Sequence, residues 1–336
     1  MATRVDRRTT IPAADCGVLC RHRGETRHLS ALPISAGPTT LPRMKVLVVA
    51  NLAKPKVQPA ADALAAWLKE RVTFLGVEDD RDFDLSKIEM DLILVLGGDG
   101  TLLSVARRLC GRQVPVIGFN FGRLGFLASF GPEHLPDTVQ QAIDGKLPVK
   151  PRMMIEASVV AASAKECDLL NPASVEKYRH WSTCALNDAV VSAGSPFRMI
   201  ELSVGTDGDD GVRYFGDGMI VCTASGSTAY NIAAGGPILS PQVEAMCLTP
   251  LCAHSLSFRP IVLHADQTVV LTARRVNRGT ELVVDGQSSC NLNKGDRMVV
   301  RRADHKLMLV ENPNLREWQA LGEKLHWASV PNYNWK

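Results

Sequence analysis

Apolar positions change their rhythm twice along the chain. No period holds over the first 43 residues. From Met44 to about residue 145, short continuous apolar runs alternate with helical stripes. "KVLVVA" (45–50), "LILVL" (92–96) and "VPVIGF" (114–119) read as buried strands. Between and after them, residues 59–71 predict a helix with Pro59 in its first turn and Ala60, Leu64, Trp67 and Leu68 on one face. Leu102, Val105, Ala106 and Leu109 form a second stripe, and residues 133–143 a third helix. Apolar strands separated by helices predict a parallel sheet covered on both faces.

From about 151 to 310 the pattern becomes period two, as in "RMIELSV", "QTVVLTARRV", "TELVVDG" and "DRMVVRRADHKLMLV", with turn signals at Asp207-Gly208, Asp285-Gly286 and Lys294-Gly295-Asp296. This is the pattern of antiparallel β structure. The end turns helical again, with Asn312 as cap, Pro313 in the first turn and Leu315, Trp318, Leu321 and Leu325 on one face. The expected fold class is an α/β Rossmann-like N-terminal domain with a parallel sheet, joined to a mostly β C-terminal domain. The expected divisions are a leader at 1–43, an α/β nucleotide-binding domain at 44–148, a β-rich domain at 149–310 and a closing helix at 311–336.

Composition adds little to that picture but removes alternatives. At 46% hydrophobic and 22% charged, with mean hydropathy +0.00, the chain is ordinary for a globular protein. No apolar run approaches the roughly 20 residues needed to cross a bilayer, so no membrane span is expected. The net charge of +3 is concentrated in the leader, whose seven arginines outweigh Asp6, Asp15 and Glu25. The rest is close to neutral, which argues against a nucleic-acid partner. Nine scattered cysteines without a C-x-x-C pair suit reduced thiols in a cytoplasmic protein. The leader itself reads as a disordered extension or the product of an upstream start codon.

Candidate chemistry begins at Gly97-Gly98-Asp99-Gly100-Thr101, between the 92–96 strand and the next helix. Ligands of open parallel sheets sit at the carboxyl ends of strands, and glycines there let backbone N–H groups approach phosphate. The turn lacks the Gly-Lys-Ser/Thr of a Walker A loop, and Leu103 excludes the dinucleotide G-x-G-x-x-G. A carboxylate among phosphates holds Mg²⁺ or takes a proton from an attacking hydroxyl, and both point to phosphoryl transfer. Gly97, Gly98 and Thr101 are therefore candidates for a phosphate-donor loop, together with Arg123 in the loop after the 114–119 strand. "DGMIVCTASGSTAYNIAAGGP" (217–237) places hydroxyls at a helix start, with Tyr230 offering a stacking face. Asn187-Asp188 offers an amide for a base edge and a carboxylate for ribose hydroxyls. His254 reads as a structural histidine, and Asp285-Gly286-Gln287 as a hairpin turn.

This ordered set resembles the NAD kinases. Gly-Gly-Asp-Gly-Thr at 97–101, the G-x-N-x-G-x-L-G-F-L loop at 118–127, Asn187-Asp188, Asp217-Gly218 and the run from Thr223 to Tyr230 all match family motifs, as do Asp285-Gly286-Gln287 and the terminal "KLHW". Departures are Ala224-Ser225 for the usual Pro-Thr, Ala253 for Pro, and Phe215 where a cation is common. The resemblance implies NAD bound between an α/β and a β-rich domain, and a closing helix that returns to the first domain. It also implies transfer of phosphate from ATP, with Mg²⁺ or another divalent cation, to the adenosine ribose 2′-hydroxyl. Asp99 would be the proton acceptor. The NAD-binding set it implies is Asp99, Gly100, Asn187, Asp188, Arg198, Asp217, Thr228, Ala229, Tyr230, Asn231, Ile232, Ala233 and Gln287. A homodimer or homotetramer is implied as well.

Two other readings share parts of this pattern. Lipid kinases of the diacylglycerol and sphingosine type also carry Gly-Gly-Asp-Gly, but continue to Pro-x-Gly-Thr-x-Asn-Asp where this chain has Asn120-Phe121-Gly122-Arg123. A non-catalytic NAD(P)-binding regulator would have little use for Asp99, which this chain keeps. Deleting residues 1–43 is expected to leave yield, thermal unfolding and activity unchanged; loss of soluble protein would contradict this reading of the leader.

Overall fold

The computed structural model describes residues 43–109, 111–122, 125–209, 211–315 and 317–325. Except for Arg43, the leader lies outside them, as do Arg123 and the end of the "KLHW" match. The α/β part runs β1 (Lys45–Ala50), α1 (Val57–Lys69), β2 (Thr73–Glu78), β3 (Leu92–Gly97), α2 (Asp99–Arg108), β4 (Pro115–Asn120) and α3 (Leu135–Ile143). Strand order β2-β1-β3-β4 is parallel throughout. Its strands are continuously apolar because both faces are covered. Val46, Val48, Leu94 and Leu96 pack with α1 and α3, while Leu47, Val49, Ile93 and Val95 pack with α2. The order reverses direction between β1 and β3, the place where such sheets open a crevice.

The β-rich part comprises β5 (Val149–Val160), α4 (Pro172–Tyr178), β6 (Arg179–Ala185), β7 (Asp188–Ser192), β8 (Ile200–Thr206), β9 (Val212–Gly216), β10 (Gly218–Thr223), α5 (Tyr230–Ala233), β11 (Ala245–Leu251), β12 (Ile261–His264), β13 (Val269–Arg275), β14 (Glu281–Val284), β15 (Ser288–Asn291) and β16 (Arg297–Val310). β12-β11-β10-β7-β14-β15 form an antiparallel sheet. Inward residues of this sheet, such as Val191, Val221, Met246 and Leu282, meet Ile155, Leu202, Leu271 and Val300 of the first sheet in a shared core.

No break in hydrogen bonding marks the change from parallel to antiparallel. The long β16 pairs with β13 through 297–300, with β5 along most of its length, and with β4 in parallel through Met308 and Leu309. One ten-stranded sheet therefore carries both rhythms. Val310 and Leu309 are buried at the junction.

The closing helix, α6 (Glu317–Leu325), begins later than the Asn312-Pro313 pattern predicts. Asn312 instead ties loops together, accepting from Asn314 N at 3.0 Å and donating to Ser129 O at 3.0 Å. α6 buries Ala320 and Leu321, whereas Trp318 is 70% exposed, so the apolar face is narrower than the sequence stripe suggests.

Candidate active site

β3 ends at Gly97, Gly98 turns the chain, and Asp99 opens α2, with Thr101 N and Leu102 N both bonded to Gly98 O. The Asp99 side chain does not cap its own helix. It crosses to the loop after β4, where Oδ2 accepts from Phe126 N at 2.8 Å and Oδ1 from Ala128 N at 2.8 Å and Leu127 N at 3.3 Å. A carboxylate offers about four lone-pair positions. Three are filled here, and the open one belongs to Oδ2. Two glycines permit the approach. A Cβ on Gly125 would stand 1.9 Å from Asp99 Oδ1, and one on Gly97 would stand 2.3 Å from Thr101 Oγ1.

Asp99 lines a cleft of about 720 Å³ at the β1/β3 crevice, shared with Lys54, Gly98, Thr101, Arg107 and Asn120. Lys54, just beyond β1, donates to Gly97 O at 2.8 Å, which sets a cation beside the glycine turn. From the β14–β15 hairpin, Gln287 Nε2 donates to Gly100 O at 2.7 Å, so the second sheet is fastened to the first turn of α2.

A second concavity of about 360 Å³ lies on the other side of that hairpin, lined by Asn187, Asp188, Ala229, Tyr230, Asp285 and Gly286. Gly286 borders both spaces. Asp285, at φ 49°, is the first of two positive-φ residues of the turn, before Gly286, and its carboxylate accepts from the backbone N–H groups of Leu186, Asn187 and Asp188 at 2.8–3.0 Å. Burial pushes the Asp285 carboxyl up, against these amides and the nearby Arg107 charge. Asp188 has no such amides. Burial, and then the Asp285 charge, push it up to about 7. Of the pair, Asp285 has backbone amides that oppose its upward shift, and Asp188, which lacks them, is raised to about 7. The 223–228 turn is drawn onto the same spot: Thr223 N bonds Asn187 O at 2.8 Å, and a Cβ on Gly226 would meet that oxygen at 2.1 Å.

The chain matches two family models, the ATP-NAD kinase N-terminal domain over residues 80–147 and the ATP-NAD kinase C-terminal domain over residues 186–312. It is 32% identical over 284 residues to the NAD kinase of Rhodopirellula baltica, covering 84% of this chain and 87% of that protein. With the NAD kinase of Cupriavidus pinatubonensis it shares 39% identity over 243 residues, 72% of this chain and 75% of the other. The chain belongs to the NAD kinases. A crystal structure of an NAD kinase from Archaeoglobus fulgidus in complex with ATP superposes with TM-score 0.64 at 26% identity, over 80% of this chain and 94% of that one. The fold is also that of yeast NADH kinase complexed with NADH, at TM-score 0.70 and 24% identity over 87% and 90% of the two chains. The lipid-kinase reading gives way to this membership.

Within this NAD kinase fold the residues singled out from the sequence separate into groups. Asp99, Gly100, Thr101, Gly98 and Gln287 share the larger cleft, while Asn187, Asp188, Ala229 and Tyr230 share the second concavity. Gly97 is buried beneath the turn, and its carbonyl receives Lys54. Thr228 lines a third cavity of about 390 Å³ with Phe126, Leu127, Ser225 and residues of α6.

Asn231 is built into the turn by its side chain. It is fully buried, its amide donates to Ser227 O at 3.1 Å and Pro237 O at 2.9 Å, and its oxygen accepts from Thr249. Its side chain is committed to holding the turn and does not line the clefts. Ile232 and Ala233 complete the one-turn α5 and line none of these three spaces. Arg198 and Asp217 are exposed and lie apart from them too. Asp217 precedes the Gly218↔Ser192 pair of β10 and β7; Ser192 borders the second concavity, but Asp217 is not among the residues lining it. His254 is exposed on a loop rather than built into the core. Arg123 is outside the described residues.

Sequence reasoning missed Lys54, Arg107 and Lys324. A cation just past the first strand of a crevice-forming sheet was a usable signal for Lys54; Lys324 opens the "KLHW" match, but nothing in that match linked it to Asp99.

Two outcomes follow from this geometry. Gly125→Ala must displace the Asp99 carboxylate, and a misplacement near 1 Å is expected to cost about 10²-fold in kcat; steady-state kinetics with full activity would contradict the contact. For Asp188, the folded protein binds an extra proton between the unfolded carboxyl value of 3.8 and about 7. Wild type therefore loses stability relative to Asp188→Asn as pH rises through that window. Denaturation midpoints of the two proteins at about pH 5 and about pH 8 check this, and a pH-independent difference contradicts it.

Proposed function

We propose that the chain transfers the terminal phosphate of ATP to the 2′-hydroxyl of the adenosine ribose of NAD, giving NADP. The observation that carries this reading is Asp99, which lines the cleft and is held by three amides that leave one Oδ2 lone pair uncommitted. The 2′-hydroxyl gives its proton to that oxygen as its own oxygen bonds to the γ-phosphorus. The bond from that phosphorus to the β–γ bridging oxygen breaks, and ADP leaves. The positive end of α2 and the Lys54 ammonium face the donor phosphates, where negative charge must be balanced.

Asn187, Asp188, Ala229 and Tyr230 receive the dinucleotide, with Gly286 at the join to the donor cleft. Asp188 accepts from ribose hydroxyls above about pH 7, the value to which burial and Asp285 raise it. A divalent cation arriving with the donor would supply further charge neutralisation there. Among the described residues no group of three or more His, Cys, Asp or Glu is arranged to hold one, which suits a cation that enters with the donor.

A cytoplasmic location accords with six described cysteines that are all free thiols, and no helix among the described residues is long and apolar enough to cross a membrane. Assembly as a homodimer or homotetramer rests on the family resemblance, and exposed Arg198 and Asp217 are open to a neighbouring copy.

Purified protein with NAD, ATP and Mg²⁺ is expected to form NADP, detected by an NADP-specific coupled enzyme. Asp99→Asn should lose about 10²–10⁴-fold in kcat, the range of a removed general base, while NAD binding by calorimetry stays near wild type. NAD binding without turnover in wild type would favour the regulator; wild-type turnover in the variant would remove Asp99 as base.

A further inference from the structure

Asp99 Oδ2 and the C-terminal helix share a single peptide group. The Phe126 N–H that donates to Oδ2 at 2.8 Å belongs to the same planar peptide as the Gly125 carbonyl. That carbonyl points the other way and accepts from Lys324 Nζ, in the last turn of α6. The same ammonium stands 4.3 Å from the centre of the Phe126 ring. An ammonium, a peptide and a carboxylate are thus in line, with the peptide dipole oriented to suit both charges.

We propose that Lys324 is a positioning residue for phosphoryl transfer: from α6 it holds and polarises the Gly125-Phe126 peptide, and so fixes the aim and charge of Asp99. The proposal rests on the reading of Asp99 as the base. A hydrogen bond to the carbonyl side of an amide strengthens its N–H as a donor, and a half-buried setting magnifies the effect. Lys324 is partly buried, and burial pulls its ammonium value down, against the attraction of Asp99 and then Glu323. Burying a cation is unfavourable without a partner, so its position beside the base needs a reason beyond docking the helix. Ala320 and Leu321 already supply an apolar anchor for α6.

The charges around this pair come from several elements, and the cleft that Asp99 lines also carries Asp79, Asp80, Arg81, Asp82 and Arg108. Lys54 faces the turn from the β1 side through Gly97 O, and Arg107 lines the cleft from α2. Glu323 neighbours Lys324 on α6. Lys150, Arg152 and Glu311 line the cavity between α6 and the β5–β16 pair, with Arg152 and Glu311 paired to each other.

The test is the pH profile of kcat for Lys324→Met, which keeps an apolar stem over Phe126 but removes the charge, beside Lys324→Arg and Asp99→Asn. Losing a charge-assisted hydrogen bond is expected to lower kcat of K324M about tenfold or more, with KM for NAD within about twofold of wild type. The acid limb of the profile should move up by about one pH unit, because an ionised carboxylate loses a nearby cation. K324R should return kcat and limb toward wild type. If K324M fails to fold, Lys324→Gln takes the same measurements.

A fall in kcat that is equal at every pH, with the limb unmoved, means α6 docking alone and overturns the proposal; so does wild-type kcat in K324M. The parallel variant separates the two possible failures. If Asp99→Asn is inactive while the K324M limb stays put, only the role of Lys324 falls. If Asp99→Asn keeps its activity, the base assignment falls and this proposal with it.

Discussion

Three backbone N–H groups converging on one carboxylate organise this protein. Phe126, Leu127 and Ala128 hold Asp99 from a loop that follows β4, whereas Asp99 itself belongs to the turn after β3. An anion in that position would otherwise be repelled by the phosphates it must work beside. The amides hold it aimed, and they leave a lone pair of Oδ2 open. The arrangement is sterically demanding. Gly125 must lack a side chain to let the carboxylate in, and Gly118 must lack one because a Cβ there would meet Ala128 Cα at 2.9 Å. Glycine at these positions serves close approach, since neither adopts a left-handed backbone.

The larger architecture brings distant segments to that point. β16 joins the parallel strands to the antiparallel ones, so the crevice at β1 and β3 and the β-rich half share one sheet. The β14–β15 hairpin then reaches back: Asp285 gathers three amides at the start of β7, and Gln287 bonds the first turn of α2. Backbone amides collected by a carboxylate occur twice within the site, once at Asp99 and once at Asp285. The first aims a base, and beside the second, burial and then the Asp285 charge raise Asp188 to about 7.

Much of this was legible in the pattern of the chain, for identifiable reasons. Strands buried on both faces are continuously apolar, so β1, β3 and β4 could be read directly, and β8, β13, β14 and β16 announced themselves by alternation, whereas β10 is buried along its whole length. β2 was not named in advance because "TFLGVE" mixes exposed and buried positions in a short run. The start of α6 was misjudged because Asn312 bonds to Ser129 rather than capping a helix, a partner 183 residues away. Asn231 illustrates the same limit, since a polar residue within a ligand-like motif turned out to be the internal tie of its turn. Asp99, Asn187 and Asp188 were marked by local glycine and strand context. Lys54 and Lys324 act through backbone carbonyls made available by the fold, and no spacing rule encodes that.

The central claim is that Asp99 faces the attacking hydroxyl while the loop amides still hold it. A crystal structure of the protein with NAD and a non-hydrolysable ATP analogue tests it most directly. The account predicts Oδ2 within hydrogen-bond distance of the adenosine ribose 2′-hydroxyl, with Phe126 N and Ala128 N still bonded to the carboxylate. A complex in which that carboxylate points away from the ribose, or in which the dinucleotide occupies a different face of the protein, would contradict it.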